Sequence, residues 1–252
     1  MTNRKVALVT GSGKKRVGNH VAAALAARGY ALVIHYRTSA TEAAETAEQF
    51  TRAHGVPVQT IRADIANEAE VKAMVTETLA QFGRLDVLVN CAAIWDRKRL
   101  EDVTADDVRR HFDINTLGTF LTCQHAGLAM AAQPDGGCIV NIGDWADARP
   151  YRDYAAYFPS KAAIPGLTRT FAVELGTRNP NVRVNAVLPG PVMLPPDMSD
   201  EERAEVVDAT LVKREGSPEH IVKAVLHFID NDFISGACLP VDGGRSVYAA
   251  GH

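Results

Sequence analysis

Short apolar runs recur along the chain, separated by stretches with helical periodicity. Val6 to Thr10, Ala31 to His35, Val58 to Arg62, Val87 to Asn90, Cys138 to Ile142, Val182 to Leu188 and Cys238 to Val241 show little polar alternation. Such runs predict strands buried on both faces. Helices are predicted over Val17 to Arg28, stopped at Gly29, then Thr41 to His54, and Glu68 to Phe82 before Gly83. A long helical stretch from about Thr104 to Met130 follows, then about Tyr154 to Leu175, Ser199 to Ala209 and Pro218 to Asp230. Pro159 is tolerated in a first helical turn, so the helix that carries it should start close to Tyr157. Strands alternating with helices across short connections predict an α/β fold, a doubly wound parallel sheet of about seven strands with helices on both faces. No repeat, low-complexity segment or linker divides residues 1–252, so a single domain is expected.

Composition narrows the function classes. At 46% hydrophobic and 23% charged, the chain can bury a full core. A net charge of −3 argues against general nucleic-acid binding. No stretch approaches ~18 uninterrupted apolar residues and no signal peptide is visible, so neither a membrane partner nor export is expected. Cys91, Cys123, Cys138 and Cys238 are scattered without CxxC or zinc spacing. That pattern predicts reduced thiols in a cytoplasm and no metal site. The charge is uneven. Met1 to Thr41 holds seven Lys and Arg and no Asp or Glu, which leaves the rest of the chain at −10. A basic patch confined to the first strand–helix–strand unit predicts a phosphate-rich ligand there.

Thr10-Gly11-Ser12-Gly13-Lys14-Lys15-Arg16-Val17-Gly18 joins the first strand to the first helix. Its glycines allow a tight turn and close backbone approach, and the helix N-terminus offers N–H groups to a pyrophosphate. An NAD site needs a carboxylate at the end of the second strand, whereas an NADP site needs cations there. The sequence reads His35-Tyr36-Arg37-Thr38-Ser39, with no acid before Glu42. This predicts NADP(H). Asp64, after the third strand, is placed either to meet the adenine or to cap the next helix.

Tyr157 is the one tyrosine of six with a lysine, Lys161, four residues later, on the same face of a helix. A neighbouring ammonium favours a phenolate, so Tyr157 is expected to exchange protons closer to neutrality than its usual pKa of ~10. That suits a general acid acting as a hydride arrives. Asp144, thirteen residues upstream, follows the fifth predicted strand. It is either a strand-end carboxylate capping a turn or part of the same site. In the second case it can accept from an N–H or, protonated, donate, and it would tend to repel a carboxylate-bearing substrate.

In their order and spacing, the Thr10–Gly18 loop, Asp64, Asn90-Cys91-Ala92, Asn115, the Asp144/Tyr157/Lys161 set, Pro189-Gly190 and Asp242-Gly243-Gly244 resemble the short-chain dehydrogenase/reductase family over essentially the whole chain. The resemblance implies a Rossmann-type domain with a cofactor half to about 145 and a catalytic and substrate-lid half from about 146 to 252. It implies hydride transfer between nicotinamide and a carbonyl, alcohol or imine-like carbon of a small-molecule substrate, with Tyr157 as proton donor. Lys161 would bind the nicotinamide ribose and Asn115 would hold a relay water. It further implies cofactor contacts at Gly11, Gly13, Arg16, Val17, Gly18, Tyr36, Arg37, Thr38, Ser39, Asp64, Ile65, Asn90, Ala92, Pro189, Gly190 and Val192, and a homotetramer or homodimer built through the two long helices.

Two departures point within the family. Asp144 stands where a serine is usual, and the glycine loop ends Arg16-Val17-Gly18. Both features are similar to the pteridine reductase branch and the dihydromonapterin reductases. Trp95 falls where that branch carries a ring that sandwiches pterin against nicotinamide; alternatively it is a half-buried packing residue. The loop is one residue longer than in that branch, and Cys91 and Ala93 replace more polar residues. Pro191 to Met198 should form the substrate lid, with Met193 and Leu194 at the substrate. The expectation is an NADPH-dependent pterin-type reductase. Its alternatives are a carbonyl reductase of a 3-oxoacyl thioester, sugar or steroid, and a protein that senses NADP(H) without turnover.

Overall fold

The strands form where the apolar runs are: β1 (Val6–Thr10), β2 (Ala31–Tyr36), β3 (Val58–Arg62), β4 (Val87–Asn90), β5 (Gly137–Ile142), β6 (Val182–Pro189) and β7 (Cys238–Val241). The computed structural model describes residues 4–195 and 197–248. Pro196, inside the expected lid, lies outside the described residues, as do 1–3 and 249–252. All strand pairs are parallel, in the order β3-β2-β1-β4-β5-β6-β7. The chain therefore reverses its direction of growth between β1 and β4, where open α/β sheets leave a crevice at the strand C-termini.

The lack of alternation has its expected cause. Val6 and Leu8 of β1 point into one core with α3 (Glu68–Phe82), α5 (Gly118–Ala131) and α6 (Tyr157–Gly176). Ala7 and Val9 point into a second core with α1 (Val17–Ala27), α2 (Ala40–His54) and α8 (Pro218–Asp230). Leu25, Leu88 and Ile139 are fully buried, so truncating any one to Ala costs about 2–5 kcal/mol. Asn67, not Asp64, caps α3: its side chain accepts from the N–H groups of Ala69 and Glu70.

The largest departure from the sequence reading lies in the stretch expected as one helix from Thr104 to Met130. It is broken into α4 (Ala105–His111), a π-helical turn (Phe112–Leu117) and α5. One such turn shifts the apolar phase by a single residue, so periodicity passes over it. Its stabilisation is local: the Asn115 side chain accepts from Ile94 N–H and donates to Ile94 C=O, both at 2.9 Å. α6 begins at Tyr157 with Pro159 in its first turn, and it also carries Pro165 in its interior. α7 (Asp200–Asp208), just after the segment expected as the lid, is capped by Ser199 and has no buried residue.

Candidate active site

A cavity of about 950 Å³ opens at the C-terminal ends of the strands, and residues following all seven strands line it, from Gly11 after β1 to Arg245 after β7. It takes in every residue expected at the site except Asn90 and Asn115. Asn90 ends β4 beside the cavity-lining Cys91 and Ala92. Its side chain turns into the sheet, donating to Asn141 at 2.9 Å and accepting from Thr122 at 2.8 Å, so it ties β4 to β5 and α5.

At the β1–β2 end, Gly11 adopts φ +64° and a Cβ there would lie 2.8 Å from the Ala92 backbone. Only glycine closes that turn. Buried His35 fixes the loop: its Nδ1 accepts from Gly11 N–H at 3.0 Å, while Nε2 faces the Ala63 carbonyl at 3.0 Å. Burial lowers the His35 pKa, which keeps the ring neutral and able to accept. α1 has no side-chain cap and no acid in its first turn, an open N-terminus of the kind that receives phosphate. Arg37 and Thr38 are exposed beside it, with Ser39 buried under them. Arg37 reaches Asp64 at 3.5 Å, and Asp64 Oδ1 accepts from Ala66 N–H, so Asp64 lines the cavity beside Arg37 and does not cap α3. The glycine turn, the uncapped helix and the cations fit a nicotinamide dinucleotide.

At the centre, Tyr157 donates to Asp144 Oδ2 at 2.7 Å, and Asp144 Oδ1 accepts from Ala146 N–H. Asp144 thus serves both readings given to it, capping a turn and joining the site. Lys161 donates to the Ile142 carbonyl at 2.7 Å. The expected drop in the Tyr157 pKa is not found. Burial, then the Asp144 carboxylate, push the phenol well above 10. A carboxylate accepting the phenolic proton outweighs a lysine whose ammonium is turned to a backbone carbonyl. Burial also lowers Lys161 and raises Asp144. Tyr157 is therefore a neutral phenol poised to donate, and Asp144 holds a proton more readily than an exposed aspartate. Asn115 stands behind this centre, its amide spent on Ile94 and on Ser160 Oγ at 2.9 Å. Burial pushes the Cys91 thiol on the cavity wall up to about 12, which leaves it unreactive.

The substrate end is aromatic. Trp95 lines the cavity, 45% exposed, and the Arg16 guanidinium packs over its ring, 4.4 Å from the ring centre. Met193 and Leu194 line the lid side. Sequence reasoning missed Trp145, Tyr151, Tyr154 and Arg245, which line the same end. Tyr151, Tyr154 and Tyr157, spaced by three, were a visible signal. So was Arg245, which directly follows Asp242-Gly243-Gly244. Among the described residues no group of three His, Cys, Asp or Glu could hold a metal, and no helix is long and apolar enough to cross a membrane.

Comparisons with known proteins agree with this architecture. A family model described as enoyl-(acyl carrier protein) reductase matches residues 12–246. A 3-oxoacyl-[acyl-carrier-protein] reductase of Synechocystis is 34% identical over 249 residues, covering 97% of this chain and 98% of the relative. A hydroxynaphthalene reductase-like protein of Metarhizium brunneum is 35% identical over 98% of this chain and 88% of its own. Among solved structures, a short-chain type dehydrogenase/reductase from Mycobacterium ulcerans superposes with a TM-score of 0.90 at 28% identity, covering 98% of this chain and 92% of that one. With a parallel sheet ending on a nucleotide crevice, a Tyr157/Lys161 pair on α6 and relatives matching nearly end to end, the chain belongs to the short-chain dehydrogenase/reductase family of oxidoreductases.

Proposed function

We propose that this protein is an NADPH-dependent reductase of a flat pterin-type ring, a dihydropterin or dihydrofolate, with Tyr157 as proton donor. The observation that carries the reading is the 2.7 Å hydrogen bond from Tyr157 to Asp144, which puts a carboxylate beside the proton donor. A carboxylate can accept from the amino and imino N–H groups of such a ring, which a carbonyl substrate lacks. The exposed face of Trp95 and the rings of Tyr151 and Tyr154 suit a planar substrate. The bound nicotinamide supplies the hydride. Gly11, the α1 N-terminus, Lys161 and Pro189-Gly190 would hold the cofactor, and Arg37 with Thr38 and Ser39 would select the 2′-phosphate. Tyr157 gives its proton to the ring nitrogen next to the carbon that takes the hydride, and Asp144 orients the phenol and the ring. Asn115 keeps the π-turn and Ile94 in place behind them, next to any relay water.

A second reading, a 3-oxoacyl thioester reductase, is favoured by the names of several relatives, 34–35% identical across almost the full chain. An NADPH-oxidation screen with dihydrobiopterin, dihydrofolate, a quinone and acetoacetyl thioester tests both. Turnover of a dihydropterin supports the first reading; brisk turnover of the thioester alone replaces it with the second; NADPH binding without any turnover leaves a sensor. We further infer a homotetramer or homodimer. Phe120 and Leu128 on α5 and Val173 on α6 are exposed, an apolar face across the two long helices. Light scattering on Val173→Arg checks this: the assembly should dissociate. The four unpaired cysteines fit a reducing cytoplasm.

A further inference from the structure

Arg245 is delivered into the substrate end of the cavity by a turn with almost no freedom. Asp242 Oδ1 accepts from Gly244 N–H at 2.9 Å and Oδ2 from Ser246 N–H at 2.7 Å. Gly243 and Gly244 have φ of +66° and +78°, and a Cβ on either would lie within 2.8 Å of Val212 or Leu211. Arg149 donates to the Arg245 carbonyl at 3.1 Å. The Asp242-Gly243-Gly244 motif thus works as a bracket, and Arg245 is what it presents.

The side chain is held but not neutralised. Its guanidinium lies 4.7 Å from the Trp145 ring centre, and one N–H reaches the Val206 carbonyl at 3.4 Å. Stacking occupies a face of the guanidinium and leaves most of its five donors free at the edge. Among the described residues no carboxylate lies within ion-pair distance of it, and the adjacent Asp242 is spent on backbone N–H groups. Its neighbours differ. Arg97 is paired with Asp153 at 3.3 Å, and Arg152 is exposed at the rim. A half-buried guanidinium on an aromatic shelf, facing a cavity, is built to take an anion in its plane.

We propose that Arg245 is a specificity-determining residue that binds a carboxylate carried by the substrate ring. The inference rests on the reading that this cavity reduces a planar substrate with Tyr157 as donor. It also resolves a difficulty in that reading. Asp144 alone would repel an acidic substrate, and Arg245 sets a cation against it on the wall of the same cavity. Glu205 of α7 faces the same cavity and is the rival partner for Arg245.

The test compares wild type, Arg245→Gln, Arg245→Lys and Glu205→Gln on two matched pairs of substrates. One pair is 7,8-dihydropterin-6-carboxylate against 6-methyl-7,8-dihydropterin; the other is 4-carboxybenzaldehyde against benzaldehyde. Binding of benzoate against benzamide to the enzyme saturated with NADP+ is followed by intrinsic tryptophan fluorescence. Wild type should favour the carboxylate member. Arg245→Gln should lose about tenfold to a hundredfold in kcat/KM on that member, mainly through KM. It should change less than about twofold on the neutral member. Arg245→Lys should recover part of the loss because it keeps the charge without the fork. Benzoate binding should fall in Arg245→Gln while NADPH affinity holds. If the pterins are inert but the aldehydes and benzoate show this pattern, the pterin reading fails and the anion site stands. Equal losses on both members, parallel losses in Glu205→Gln, or benzoate binding indifferent to Arg245 would overturn it.

Discussion

The two ends of the cavity are built differently. The cofactor end sits on the C-termini of β1 and β2, whose residues are almost all buried, and its loop is locked by His35 and by a glycine that admits no Cβ. The substrate end is closed by the Tyr151–Tyr154 loop and by α7, which buries nothing. Structure near the first end opens only with much of the core, whereas α7 can open at little cost. On the proposed reading, the fold prescribes where the cofactor lies and how the proton is delivered, and leaves the choice of substrate to loops it does not constrain.

The sharpest way to break this contrast is at the junction. Tyr157→Phe should lower kcat by about 100- to 10,000-fold, the range of a general acid, and leave NADPH affinity nearly unchanged in a fluorescence titration. A near-normal rate would mean that the proton comes from elsewhere. Next in size is the cofactor end. On the proposed NADPH reading, Arg37→Asp removes a charge-assisted phosphate contact worth ~1.5–3 kcal/mol, so the NADPH-to-NADH preference should fall by about tenfold to a hundredfold. Equal kcat/KM for both cofactors in the unaltered protein would defeat the assignment outright. At the substrate end the effects are smaller. Trp95→Ala removes a stacked ring worth ~0.5–1.5 kcal/mol beyond area burial, so KM for a pterin should rise about two- to tenfold with kcat little changed.

A pH profile sharpens the central pair. With the phenol held above its usual range by burial and by Asp144, reduction by the wild type should show no alkaline loss from Tyr157 up to about pH 10. Asp144→Asn removes the carboxylate and keeps the shape. The Tyr157 pKa then falls, and the alkaline limb of kcat/KM should move to lower pH. A limb that stays put or moves upward would show that Asp144 does not govern the phenol.

What the sequence disclosed follows the same division. Buried strands show themselves because neither face tolerates polar residues, and Gly11, Arg37, Asp144, Tyr157 and Lys161 were legible from position and residue type. The π-turn was hidden because one extra residue in a helix barely disturbs its apolar stripe. The inward turn of the Asn90 side chain was hidden because a motif residue can also serve by tying strands together. The direction of the Tyr157 shift was missed because spacing brings Lys161 onto the right face but does not say which acceptor its ammonium takes. Arg245 escaped because only the turn after β7 decides that it points into the cavity.

The central claim is that the carboxylate of Asp144 tunes this centre for a nitrogen-bearing ring. The most direct test is the ratio of kcat/KM for dihydrobiopterin to that for acetoacetyl thioester, measured with NADPH on wild type and Asp144→Ser side by side. The ratio should lie well above one in the wild type and fall at least about tenfold in the variant, as a lost hydrogen bond to a charged group implies. A wild type that ignores the pterin and turns over the thioester, with a ratio unmoved by the substitution, would contradict it.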